Sequence, residues 1–261
     1  MIKKNKILYF IFISIIIPII IIENVARISF PDFSNDDVFL EKAFKRLINS
    51  DIIFNQNSSN YSNKFGFTLS PNSNQNFKTS EFNYNVKTNS LGFRTKEIVP
   101  KDKNEYRIML IGDSMFGGHG IEQSEMISSR IEQFSRDIST KNISVYNYAL
   151  SGYNTVQQVI VAKEYFEKTK PDHIILGLFT GNDIIANSLS FIDEDGNYRV
   201  SNNNIINLKK KLKKEFGFLY NSIIYRIFSY KILIPRIRYD FAIETDIISR
   251  TFDLISNLKQ F

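Results

Sequence analysis

The chain has 261 residues and no cysteine, which excludes disulfide frameworks, thiolate nucleophiles and thiolate metal sites. A hydrophobic content of 43% with 23 phenylalanines supplies one substantial core and excludes wholesale disorder. The formal charge of +6 is concentrated at Lys3, Lys4 and Lys6 and at Lys209, Lys210, Lys211, Lys213 and Lys214, so the remainder is near neutral and no nucleic-acid partner is expected.

The first predicted element is a helix. "MIKKNK" precedes "ILYFIFISIIIPIIII", an uncharged run closed by Glu23. The run is slightly short of the roughly 20 residues that span a bilayer and long for a signal-peptide core. "ENVARISF" offers no small-x-small cleavage site. Residues 1–23 are therefore expected to form an uncleaved transmembrane anchor, lysines on the cytoplasmic side and everything after Glu23 outside. Pro18 is tolerated in such a helix.

Residues 24–104 read as a polar juxtamembrane region of loops and short strands, with Asn- and Ser-rich stretches such as "NQNSSNYSNKFGF". It closes on "KTNSLGFRTKE". A domain over 105–261 follows. "YRIMLIG" predicts a strand, and "SEMISSRIEQFSRDIS" a helix, from its apolar spacing at Met126, Ile127, Ile131, Phe134 and Ile138. "ISVYNYAL" predicts a second strand, and "TVQQVIVAKEYFEKT" a helix stopped before Pro171. "HIILGLFTG" is nearly continuous in apolar residues, as a parallel strand covered on both faces would be. This alternation predicts an α/β fold with a parallel sheet and right-handed crossovers. Sites in such sheets lie beyond the carboxyl ends of the strands.

A helical insertion is expected over 187–240, entered by a hairpin at "FIDEDGNYRV". Its lysines read as a solvated helix face, with contact to anionic lipid the second reading. A last helix, "TDIISRTFDLISNLKQF", runs to Phe261, and no fourth strand is expected after it.

Three strand ends bring polar and glycine residues to one edge: Gly112-Asp113-Ser114, Ala149 to Gly152, and Gly181-Asn182-Asp183. A serine hydroxyl needs a base to take its proton and donors to hold the oxyanion. A strand-turn-helix elbow exposes the hydroxyl and aims helix amides at developing negative charge. Ser114, Gly152 and Asn182 supply such donors, each worth about 3 kcal/mol in a transition state. The glycine-rich turn lacks the Gly-Lys-Ser/Thr ending of a phosphate loop and the Gly-x-Gly-x-x-Gly spacing of a dinucleotide site. Two histidines without ligand partners at useful spacing argue against a metal centre, and no cofactor is expected.

These blocks give the chain its resemblance to a known family. "IGDSMFGGHGI", "NYALSGYNTVQQ" and "TGNDI" resemble the nucleophile, glycine and Gly-x-Asn-Asp blocks of the SGNH (GDSL-type) hydrolases. The likeness covers Lys87 to the end, and the anchor and insertion resemble a membrane-anchored bacterial subgroup. It implies a three-layer α/β/α, flavodoxin-like sheet, with Ser114 as nucleophile and the Ser114 amide, Gly152 amide and Asn182 side chain as oxyanion donors. Asp113 and Asp183 become structural hydrogen-bonders. The implied activity is ester hydrolysis or O-acyl transfer on acylated small molecules or cell-envelope glycans. The implied location is the inner membrane, single-pass, with the catalytic domain periplasmic.

Two departures stand out. Phe116 replaces a small hydroxyl residue two places after the nucleophile. The family's late Asp-x-x-His block, which carries the base, and the strand before it are absent from these residues; the expectation is a chain that stops early. His173 opens the third strand at the far end of the sheet and reads as structural. His119, five residues past Ser114, is the remaining candidate base. The alternative is a relative that binds an acyl or glycan ligand without turning it over.

Overall fold

The computed structural model describes residues 2–39, 42, 59–78, 80–179, 183–203, 206–207, 210, 214, 221–233 and 245–256, with side chains in the first helix described from Ser14 onward. The chain divides into two units, Met1–Asn49 with Ile205–Arg238, and Ser50–Asn204 with Tyr239–Phe261.

The second unit is built on a parallel sheet. Strand β5 (Glu105–Ile111) lies between β6 (Asn142–Asn147) and β7 (His173–Leu176) and is parallel to both. Helix α4 (Ile127–Ser135) joins β5 to β6, and α5 (Thr155–Thr169) joins β6 to β7. The two crossovers run in opposite directions across the sheet, so right-handedness puts their helices on opposite faces. Helix α5 matches its predicted limits. Asn154 accepts from the Gln157 amide while the Gln157 side chain accepts from the Asn154 amide, a capping box. Ten of its residues are buried, so this helix is core on most of its surface.

The third strand differs from expectation. It ends at Leu176, and Ile175 is exposed. Among the described residues β7 is an edge strand, so only part of the apolar run is covered.

The polar stretch before the sheet is not peripheral. It forms two antiparallel hairpins, β1 (Ser59–Ser62) with β2 (Gly66–Leu69) and β3 (Asn74–Lys78) with β4 (Asn83–Lys87). Phe65, Leu69, Tyr84, Val86 and Phe93 join Met109, Ile111, Tyr146, Tyr148 and Val156 in one core. Tyr148 and Tyr165 stack at 5.0 Å, and Phe93 meets both edge-on. The hairpin predicted after Asn187 is present as β8 (Ser190–Ile192) and β9 (Tyr198–Val200), following α6 (Asp183–Leu189). The last helix, α8, is described over Thr245–Ser256.

In the first unit, α1 (Ile2–Ser29) is followed by the short α2 (Pro31–Ser34) and packs with α7 (Ile223–Phe228). Glu23 accepts from the Ile223 amide at 2.5 Å and the Ser222 hydroxyl at 3.0 Å, a carboxylate at a helix start. Arg226 pairs with Asp36 and donates to Phe33 O at 2.8 Å. Among the described residues no helix is long and apolar enough to cross a membrane. The anchor expected over 1–23 falls for the most part on residues whose side chains lie outside that description. Of the five lysines clustered in the insertion, only Lys210 and Lys214 are among the described residues.

Candidate functional site

Strand β5 delivers the chain to a tight turn. Gly112 is buried, Asp113 has φ −101° and ψ −145°, and a single helical turn, α3 (Ser114–Gly117), begins at the serine. Asp113 Oδ1 accepts from the Met115 amide at 3.0 Å, and Asp113 O from Gly117 N at 2.8 Å. The carboxylate thus caps a helix start, the place where an acceptor is most useful. Gly118 closes the turn at φ +71°, in the left-handed region that glycine tolerates. The Ser114 side chain is half-buried, while Met115 beside it is 71% exposed.

The turn rests directly on the glycine block. Leu150 N donates to Gly112 O at 3.3 Å, and a Cβ at Gly117 would sit 3.3 Å from Ser151 N. Asn147 joins the two, donating from Nδ2 to Phe116 O at 2.8 Å and accepting from Ala149 N at 3.0 Å. Gly152 follows, exposed, at φ +89°. The fold therefore brings the Ser114 turn and the Gly152 loop together. Asn182, the third expected donor, lies outside the described residues.

Phe116 does not disturb this packing. Its ring lies over Gly112 and Gly177, at the carboxyl ends of β5 and β7, and a Cβ at Gly177 would overlap it. The sequence signal for this was the glycine interrupting "HIILGLF", which is easily read as part of a strand.

Two carboxylates are buried at this edge. Burial pushes Asp113 above the usual carboxylate range, partly opposed by the Met115 amide and the Ser114 hydroxyl. Asp183, 0% exposed at the start of α6, is pushed up to about 7 by burial, with the Asp113 charge adding to the rise. Its Oδ2 accepts from Phe179 N at 3.0 Å and Gln158 Nε2 at 3.3 Å, and among the described residues its Oδ1 has no partner. Both aspartates take structural hydrogen bonds, as the resemblance implied.

The base is another matter. Among the described residues the Ser114 hydroxyl has one hydrogen-bond partner, Asp113 Oδ2 at 3.5 Å, beyond the range of a strong O–H···O bond. The His119 amide donates to Ser114 O at 3.2 Å, but its ring meets Phe82 edge-on at 5.7 Å and Tyr84 at 6.2 Å. His173 pairs across the sheet with Ile108 and hydrogen-bonds Tyr106 through Nδ1. Six steps of strand and turn lead from Ile108 to Ser114, roughly 20 Å of extended chain, so His173 belongs to the other end. No group of His, Asp and Glu suited to a metal occurs among the described residues.

Over part of its length the chain is similar to two solved structures. One is TesA, at 20% identity and a TM-score of 0.28, over 31% of this chain and 43% of that one. The other is AlinE4, an SGNH-hydrolase family esterase, at 25% identity and a TM-score of 0.29, over 33% of this chain and 46% of that one. The chain thus spans less than half the length of either. No protein-family model matches it, and no curated protein does.

Proposed function

We propose that the chain is a serine ester hydrolase or O-acyltransferase with Ser114 as its nucleophile. The observation that carries this reading is the placement of Ser114. Its hydroxyl opens a helical turn beyond the carboxyl end of the central strand, with the Gly152 loop packed against it. The sheet order β6-β5-β7 makes the gap between β5 and β7 a topological switch point, where open α/β sheets form their sites.

In the reaction, Ser114 Oγ attacks the carbonyl carbon of an ester, and the carbonyl oxygen takes up the negative charge. Amides of Ser114 and Gly152, with the Asn182 side chain, are the proposed donors to that oxygen. The alcohol leaves as the tetrahedral species collapses, and water or a second alcohol then releases the acyl group. The hydroxyl proton must pass to a base, and His119 is the imidazole nearest in sequence. Exposed Met115 gives the mouth of the site an apolar border suited to an acyl chain.

The proposed setting is the outer face of a membrane, on acylated envelope carbohydrate. Its support is the uncharged run before Glu23 together with a continuous helix through Ser29, on which Ile15, Ile17, Ile19, Ile20, Ile21 and Ile22 are all exposed. A helix packed inside a protein would bury one side of that set.

A second reading has its own observation. The His119 ring is engaged by Phe82 and Tyr84, and no imidazole is bonded to Ser114. On that reading the pocket binds an acyl ligand without hydrolysing it. A fluorophosphonate separates the two, because only an activated hydroxyl is phosphonylated. Labelling that is lost in Ser114→Ala, with release of nitrophenol from a nitrophenyl ester, is the result expected. An unlabelled wild-type chain would sink the hydrolase reading and leave the binding one.

A further inference from the structure

The segment "TNSLGFRTKE", Thr88 to Glu97, has no part in the chemistry above, yet five of its ten residues are buried polar groups or glycine. We propose that Arg94 in this segment is a positioning residue for Ser114: its guanidinium grips the far end of α3 and so fixes where the serine hydroxyl stands. This rests on the reading of Ser114 as nucleophile.

A four-residue helix cannot define its own geometry, because one turn does not recover the cost of nucleation. Something outside α3 must hold it. Arg94 is 4% exposed, and its Nη1 donates to Gly117 O at 3.2 Å and Gly118 O at 2.6 Å. Nη2 donates to Asn85 O at 3.2 Å and Ile121 O at 3.0 Å. Carbonyls at a helix end have no partner within the helix, and a cation there also complements the helix dipole. One planar fork thus ties the end of α3, the following turn and strand β4 together.

The chain around Arg94 is shaped for this contact. A Cβ at Gly118 would lie 3.0 Å from Arg94 Nη1 and 2.6 Å from Met126 Cγ, so the backbone approaches as closely as glycine allows. The Tyr84 ring lies 5.6 Å from the guanidinium carbon. Glu122 supplies a nearby negative charge, but its carboxylate accepts from Asn85 N at 3.0 Å, not from Arg94. All four hydrogen-bond acceptors of Arg94 are carbonyls. Burying a cation on such terms costs desolvation that an apolar side chain of the same size would avoid. What the guanidinium adds is a rigid fork that reaches several carbonyls at once.

Arg94 is itself held. Asn89 Oδ1 accepts from Leu91 N and Phe93 N, each at 3.0 Å, and Glu97 accepts from Ser90 N at 2.7 Å and Ser90 Oγ at 2.6 Å. Phe93 anchors the loop in the aromatic core. Thr95 Oγ1 accepts from Asn147 N at 3.0 Å, and Asn147 in turn holds Phe116 O. Two lines of force, through Arg94 and through Thr95 and Asn147, run from this loop to carbonyls 116, 117 and 118. A displacement of Ser114 by about 1 Å is enough to cost about a hundredfold in rate.

The test compares wild type, Arg94→Lys and Arg94→Ala, each full length in detergent, by amide hydrogen exchange and by fluorophosphonate labelling of Ser114. In Arg94→Ala, exchange over residues 112–121 should quicken about tenfold or more while residues 105–111 and 142–147 keep wild-type protection. Labelling should fall about a hundredfold, and millimolar guanidinium should restore part of both signals by refilling the site. Arg94→Lys, which keeps the charge without the fork, should fold and fall between the two. Unchanged exchange over 112–121, an equal rise everywhere, or no response to guanidinium would each overturn the proposal. An unlabelled wild-type chain would overturn the nucleophile reading alone, since the exchange pattern still decides whether Arg94 holds the turn.

Discussion

At the amino ends of the sheet, Arg107 is fully buried beside Glu105, with Nε donating at 2.9 Å; its other donors reach Thr169 O at 2.9 Å and Val99 O at 2.8 Å. Burial alone would raise the Glu105 carboxyl, but hydrogen bonds from Arg107, Ser144 and the Asp102 amide hold it below its ordinary value. At the carboxyl ends, Asp113 and Asp183 are buried, among the described residues without a cation bonded to either and with one oxygen of Asp183 unpartnered, and both are raised. Paired charge at one end serves stability. Carboxyls buried without such a partner at the other end work against stability, and one of them, Asp113, is next in sequence to Ser114.

The largest effect should come from breaking the paired end. Arg107→Met takes the cation from the buried Glu105 and leaves it only the Ser144 and Asp102 hydrogen bonds, a loss of about 3–5 kcal/mol, readable as a lower urea midpoint. Fluorophosphonate labelling of the fraction that stays folded should be unchanged. A midpoint equal to wild type would erase the contrast between the two ends.

The opposite end should respond to pH with the opposite sign. Asp183 titrates at about 7 in the native chain against an ordinary 3.8, so between those values the native state holds a proton that the unfolded chain has released. Stability from this group is therefore full below about pH 4 and is lost as pH rises to about 7, by about 2–4 kcal/mol. Glu105, held low, loses its contribution as pH falls. Asp183→Asn should flatten the loss between pH 4 and 7 and leave the acid side intact. A wild-type chain whose stability climbs steadily from pH 4 to 7, with Asp183→Asn doing the same, would contradict the assignment.

How much of this was legible beforehand depends on whether a feature repeats along the chain. Helix α5 was readable to the residue, because its apolar spacing and the stop before Pro171 are local signals. The Ser114 turn was readable because an apolar run broke at Gly112. The strand expected over "HIILGLFTG" is shorter, ending at Leu176, where the Gly177 amide makes its last bond to the sheet, to Ile111 O at 2.8 Å, and the Phe116 ring covers the glycine. The short strands expected before the sheet are present as the β1–β4 hairpins, but their few inward residues, such as Tyr84 and Val86, are too sparse among asparagine and serine to announce that they join the core. Arg94 was invisible as a functional residue. Its partners are backbone carbonyls, which every residue has, so no side-chain pattern marks them.

Gly177→Ala sharpens the comparison at smaller cost. The added methyl overlaps the Phe116 ring and should cost about 1–3 kcal/mol by overpacking. Because Phe116 belongs to α3, the loss of Ser114 labelling should exceed what the fall in stability explains. Equal labelling per folded molecule would mean that the ring and the serine are not coupled.

The smallest effect is expected at His119, and it decides whether its ring serves as the base. Its ring contacts Phe82 and Tyr84 edge-on from an exposed position, so His119→Ala should cost under about 1 kcal/mol. A general base must stand within about 3.2 Å of the hydroxyl it deprotonates, and here the imidazole is turned to the β3–β4 hairpin. If that orientation persists with substrate bound, ester hydrolysis should change less than about twofold in His119→Ala. A fall of about a hundredfold would mean that the ring leaves Phe82 and Tyr84 for Ser114 during turnover. The hairpin would then be part of the catalytic apparatus, and the contrast between a rigid amino end and a working carboxyl end would extend to strand β4.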